Sequence, residues 1–149
     1  MDHAEALWEL EQIKRLKARY FRLQDQDRWD EWALLFTEDF EGADPLEEGV
    51  ILHGGAALAA RTAELAGASS RAHRGTLPDI ELIDDENAAG TWALVCASTV
   101  PTDGGSFTAW ILGYYTDEYR KGADGNWRIR RMRYNNDLTI TDGDPAELL

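Results

Sequence analysis

Between residues 4 and 25 apolar side chains return every three or four positions: Leu7, Leu10, Ile13, Leu16, Tyr20 and Leu23. That period predicts a helix with one buried face. A second, short helix is predicted over 29–36, ended by Thr37, Glu38 and Asp39, and a third over the alanine-rich 55–66, closed by Gly67. From residue 70 the character changes to strands, predicted over 73–83, 88–100, 106–120 and 126–140. The separators 84–87, 103–105 and 122–125 are rich in Asp, Asn and Gly, as tight turns require. Four successive strands with short connections predict an antiparallel meander, and 39–53 has room for one or two more short strands.

Helices first and strands later is the α+β pattern. The sheet needs one face covered, and the N-terminal helices supply the cover. If it curls around the long helix, it forms a cone with a pocket at its wide end. No repeat or linker divides the chain, so residues 1–149 read as one domain.

Alternation falters at two places. Ile80 and Leu82 share one face of their strand, whereas His73 and Leu77 fall on the other. Two explanations stand: a bulge at Pro78 resets the register, or both faces of the sheet are buried, as in an oligomer packing sheet on sheet. In the last strand, Trp127, Ile129, Arg131 and Arg133 share a face by strict alternation, opposite Arg128, Arg130, Met132 and Tyr134.

Composition narrows the class. The chain is 44% hydrophobic and 29% charged, a globular balance. Its formal charge of -13 opposes nucleic acid and anionic membranes as partners, since both demand phosphate neutralisation. The acidic tail 142–147 is expected to fray. No apolar run is long enough to span a bilayer, and the first residues show no signal-peptide pattern, so a cytoplasmic location is the expectation. The single cysteine, Cys96, lies in an apolar run and reads as a buried, inert thiol. His3, His53 and His73 lack zinc-ligand spacing, and no nucleotide-binding glycine loop or Gly-x-Ser-x-Gly elbow is present.

What remains is a constellation around His73. An imidazole transfers protons near neutral pH, and a carboxylate partner orients and tunes it. Tyr20 and Asp25 are candidates from the first helix. Five residues rotate by about 140° on a helix, so they meet at one pocket only where the helix ends near Asp25; otherwise Asp25 belongs to a solvated polar stretch. Alternation puts Ile111, Gly113, Tyr115, Asp117 and Tyr119 on one strand face, making Tyr115 and Asp117 either a polar pocket lining or an exposed strand end. Arg131 and Arg133 either enter the pocket to stabilise a departing anion or balance neighbouring acids. Six tryptophans are many for this length; Trp29, Trp92 and Trp110 are candidate walls of an apolar binding site.

Three stretches carry a family resemblance: 13–20 with Asp25 and 29–36; 73–82, beginning at His73; and 113–119 with 125–130. Together they resemble the SnoaL-like branch of the nuclear transport factor 2-like superfamily, whose fold is a cystatin-like α+β barrel. Within it the chain is similar to scytalone dehydratases, bile-acid 7-alpha-dehydratases and hexachlorocyclohexane dehydrochlorinases. The resemblance implies a cofactor-independent lyase acting on a small cyclic or aromatic molecule, by dehydratase-like elimination or retro-aldol loss. It implies His73 as the base, Asp25 as its partner, Tyr20 at a position held by tyrosine or lysine, and Asp117 as a further pocket carboxylate. It also implies a homotrimer or homodimer. The arginine that assists the leaving group has no match, since Met132 falls there with Arg131 and Arg133 beside it. A second histidine of many relatives is replaced here by Arg74 or Thr76. The alternatives are a ketosteroid-isomerase-like isomerase or polyketide cyclase, and a non-catalytic binding or association domain.

Overall fold

The computed structural model describes residues 2–142. The predicted tail lies outside the described residues beyond Asp142. The element order is α1 (His3–Asp25), α2 (Trp29–Ala33), β1 (Phe36–Ala43), β2 (Ile51–His53), α3 (Gly55–Ala66), β3 (Ser70–Leu82), β4 (Asn87–Thr102), β5 (Gly105–Lys121) and β6 (Trp127–Thr141). The α+β class is as expected: three helices cover one side of a curved, unclosed six-stranded sheet of order β2-β1-β6-β5-β4-β3. No helix among the described residues is long and apolar enough to cross a membrane.

Helix α1 opens on a capping box in which Asp2 and Glu5 satisfy each other's backbone amides at 2.9 and 2.7 Å. It buries Ile13, Leu16, Lys17, Tyr20, Phe21, Leu23 and Gln24 against the sheet. Gly75 of β3 permits the close approach, because a Cβ there would lie 2.1 Å from the Phe21 ring.

The sequence expectations need three corrections. The second helix stops at Ala33, and Phe36 to Asp39 belong to β1 instead of closing a helix. Phe36 and Phe40 are both buried, and the strand carries them into the core that a longer α2 would have left unfilled. The meander β3–β6 is antiparallel as expected, but β1 joins β6 in parallel, so the sheet is mixed. The third decides between the two explanations of the faltering alternation, in favour of the bulge. In β3 the pairing slips between Thr76 and Asp79, where Leu77 adopts a positive φ of 48°. His73, opposite Cys96, and Ile80, opposite Gly90, thereby share the inner face. The bulge removes the anomaly that had pointed to burial of both faces.

A second bulge governs β6. Tyr119 pairs with Ile129 but Glu118 pairs with Arg131, leaving Arg130 as the extra residue. Alternation breaks there, so Trp127 and Ile129 point inward, and past the bulge Met132 and Tyr134 take over the inner face, opposite Asp117 and Tyr115.

Candidate active site

A cavity of about 410 Å³ lies between the inner sheet face and the helices. Its floor includes Tyr20 and Trp32 from the first two helices, its sheet wall includes His73, Cys96 and Tyr115, and α3 contributes Leu58. Asp44 sits at the rim, held by Arg61 at 2.8 Å.

His73 borders this cavity and is 8% exposed. Asp25 is the last residue of α1, so the helix end delivers its carboxylate to β3. There Oδ1 lies 2.6 Å from His73 Nδ1, and the His73 backbone N–H donates to both carboxylate oxygens at 3.1 and 3.0 Å. The carboxylate thus clamps ring and backbone together. With Nδ1 engaged, Nε2 is the nitrogen left for chemistry. Burial pulls the imidazole pKa below its ordinary value, with Arg71 and Arg74 pushing the same way and Asp25 opposing. The ring is therefore neutral at pH 7.

Tyr20 and Tyr115 meet at the cavity, with their hydroxyls 3.5 Å apart. Burial raises both phenol pKa values, so each hydroxyl stays protonated and able to donate. Under them lies a group absent from the sequence expectations. Lys17, wholly buried, bonds Asp117 Oδ2 at 2.6 Å, with its ammonium 3.9 Å from the Tyr115 ring centre and 4.3 Å from that of Tyr20. Tyr119 donates to the same carboxylate oxygen at 2.7 Å and accepts from Trp92 Nε1 at 2.9 Å. Burial lowers the Lys17 pKa, and the Asp117 charge works against that. A signal for Lys17 exists in the sequence: Ile13, Leu16, Lys17 and Tyr20 follow the i, i+3, i+4, i+7 pattern of a buried helix face.

The remaining expected site residues fall elsewhere. Asp117 is fully buried and does not line the cavity; Lys17 and Tyr119 both bond its Oδ2, and its Oδ1 is buried without a partner. Arg131 faces outward because of the Arg130 bulge, pairing with Glu41 at 2.7 Å and Glu118 at 3.2 Å. Arg133 is also outward by register, opposite Thr116, but reaches the cavity rim. Trp92 is core, tied to Tyr119. Trp29 packs edge-on against Trp32 at 5.8 Å, outside the cavity wall. Trp110 stands 48% exposed on the outer sheet face. Cys96 lines the cavity, and burial pushes its thiol pKa up to about 11, as an inert thiol requires. Among the described residues no cluster of His, Cys, Asp or Glu is arranged to hold a metal ion.

A helix-covered, curved open sheet with a cavity inside it is the architecture of the nuclear transport factor 2-like proteins. A family model described as a SnoaL-like domain matches residues 5–133, and the chain belongs to that family. No curated protein matches it. Among solved structures it is similar to Rv3472, a protein of unknown function from Mycobacterium tuberculosis, at 30% identity and a TM-score of 0.74, over 92% of this chain and 77% of that one. It shares its fold with a candidate scytalone dehydratase from Novosphingobium aromaticivorans DSM 12444: 19% identity, TM-score 0.78, 91% of this chain and 88% of that one. A LinA-type3 hexachlorocyclohexane dehydrochlorinase from Novosphingobium barchaimii LL02 also shares the fold, at 18% identity and a TM-score of 0.79, over 96% of each chain.

Proposed function

We propose that the protein is a cofactor-independent lyase for a small, largely apolar cyclic or aromatic substrate. The observation that carries this reading is the Asp25–His73 contact of 2.6 Å at the wall of an apolar cavity. Asp25 fixes the tautomer and stabilises the imidazolium once it forms. His73 Nε2 removes a proton from carbon. The C–H electrons become the new double bond, and the leaving group departs with its bonding pair. Tyr20 and Tyr115 are protonated donors for that departing group. Loss of water or retro-aldol cleavage uses the same base and donors. Arg133 at the rim is the arginine available to an anionic leaving group.

The test is turnover and product mass in deuterated water, with wild type and His73→Ala compared on cyclic and aromatic β-hydroxy ketones. Elimination gives a product lighter by one water and loss of activity in the variant. A product of unchanged composition with solvent deuterium on carbon identifies an isomerase instead. Undiminished turnover by His73→Ala sinks the assignment of the base.

The assembly proposed is a homo-oligomer formed through the outer sheet face. Trp110, Tyr114, Leu138 and Ile140 are 41–52% exposed there, and a lone soluble chain rarely leaves such residues adjacent. Sedimentation velocity of wild type against Trp110→Asp reads this directly.

A further inference from the structure

The cavity does not end at His73. A second chamber of about 480 Å³ lies between the last turn of α3 and the far ends of β3–β5, walled by Val100, Pro101, Phe107 and Ala109. The two chambers share Gln24, Thr62, Leu65, His73, Cys96 and Ile111. His73 therefore stands at a waist between two apolar spaces, not at the bottom of one.

Among the lining residues three polar atoms are buried without a partner: Trp32 Nε1 in the first chamber, Gln24 Oε1 where the two meet, and Arg71 Nε in the second. Gln24 lines both chambers and is 8% exposed, while Arg71 lines the second, with its side chain 7% exposed. The other guanidinium nitrogens of Arg71 are taken. Nη1 donates to Ser69 O at 2.9 Å and Oγ at 3.0 Å, and Nη2 to Gln24 O at 3.1 Å and to Asp27. An unmet acceptor and an unmet donor, both buried, are costly unless a ligand meets them. A hydroxyl both accepts and donates, so it suits either atom.

We propose that the substrate is an elongated molecule of two apolar lobes. One lobe lies over Tyr20 and Tyr115, the reacting carbon sits mid-molecule at His73, and the second lobe, bearing a hydroxyl, fills the chamber beside Arg71 and Gln24. This rests on reading the cavity as the substrate site. It makes Ala109 and Val100, which border only the second chamber, determinants of substrate length.

The experiment is equilibrium binding by naphthalene fluorescence with three probes: 2-ethylnaphthalene, which has one lobe; 2-(2-phenylethyl)naphthalene, which has two; and 4-[2-(2-naphthyl)ethyl]phenol, which adds the hydroxyl. Wild type is expected to bind the two-lobed hydrocarbon about tenfold tighter than the short one, and the phenol about tenfold tighter again. Ala109→Trp should abolish the first advantage while holding the short probe within about twofold. Val100→Phe asks the same question should the tryptophan prevent folding. Gln24→Leu should reduce the hydroxyl advantage and spare the two hydrocarbons. Equal affinity of wild type for short and long probes, or equal weakening of both by the blocking variants, overturns the proposal. The readout is binding, so failure here is separate from failure of the base, which only turnover of His73→Ala reports.

Discussion

Two carboxylate pairs join α1 to the sheet, about two helical turns apart, and each closes at 2.6 Å: Asp25 with His73, and Asp117 with Lys17. Their surroundings separate them. Asp25–His73 borders a cavity, and burial holds its imidazole below the ordinary pKa; on the proposed reading the pair takes up and releases a proton during the reaction. Lys17–Asp117 is fully buried and further held by Tyr119. It is a fixed charge pair whose ammonium lies against the Tyr20 and Tyr115 rings, and neither of its members lines the cavity. On the proposed reading the same contact distance serves a reversible role in one place and a static one in the other, and access to the cavity decides which.

The contrast is sharpest under substitution. His73→Ala is expected to reduce kcat/KM by about 10²–10⁴-fold while leaving the urea-unfolding midpoint close to wild type. Lys17→Met is expected to do the reverse in rank. It leaves Asp117 charged and unpaired in the core, which costs about 3–5 kcal/mol of stability, read by urea denaturation. The double variant Lys17→Met/Asp117→Leu should recover much of that loss; if it does not, packing by Lys17, not charge pairing, is what matters. Next in size, Gly75→Ala drives a Cβ into the Phe21 ring and should cost about 1–3 kcal/mol, loosening the α1–β3 contact that presents Asp25 to His73.

The pH response separates the pairs again. Burial holds the folded His73 pKa below its ordinary 6.5. Activity should therefore be flat above neutrality and fall with acid only below that value. Stability follows the same sign: as pH drops below 6.5 the unfolded state takes up the proton first, so folding weakens until the folded imidazole also protonates. His73→Gln should remove this contribution from the stability profile. The smallest effect is expected at Arg131→Ala, because its partners Glu41 and Glu118 are exposed with it: turnover should stay within about twofold and the melting temperature should hardly move.

Much of this was legible in the chain. The apolar stripe of α1, the turn residues between strands and the helices-then-strands order gave the α+β class without the structure. The anomaly at Ile80 and Leu82 marked the β3 bulge, though it left burial of both faces as an equal explanation. Asp25 was a candidate partner, but its contact with His73 depends on where α1 ends relative to β3. Arg131 illustrates the opposite case. Alternation from Trp127 and Ile129 turns it inward, and one extra residue at Arg130 reverses that.

The sequence by itself determined the long helix, the third helix and the four long strands, because hydrophobic period and turn chemistry are local; it did not find where α2 gives way to β1. It also determined that His73 was the imidazole to watch. Only the tertiary structure decided which side chains share the cavity. A bulge inverts every position after it, and the register shows this only once the strands are paired. Lys17 and Asp117 stand far apart in sequence, and a buried ammonium is tolerable only when the fold brings its carboxylate to it. The waist at His73 exists because α3 spans two apolar spaces on one curved sheet, a fact of packing that no single segment encodes.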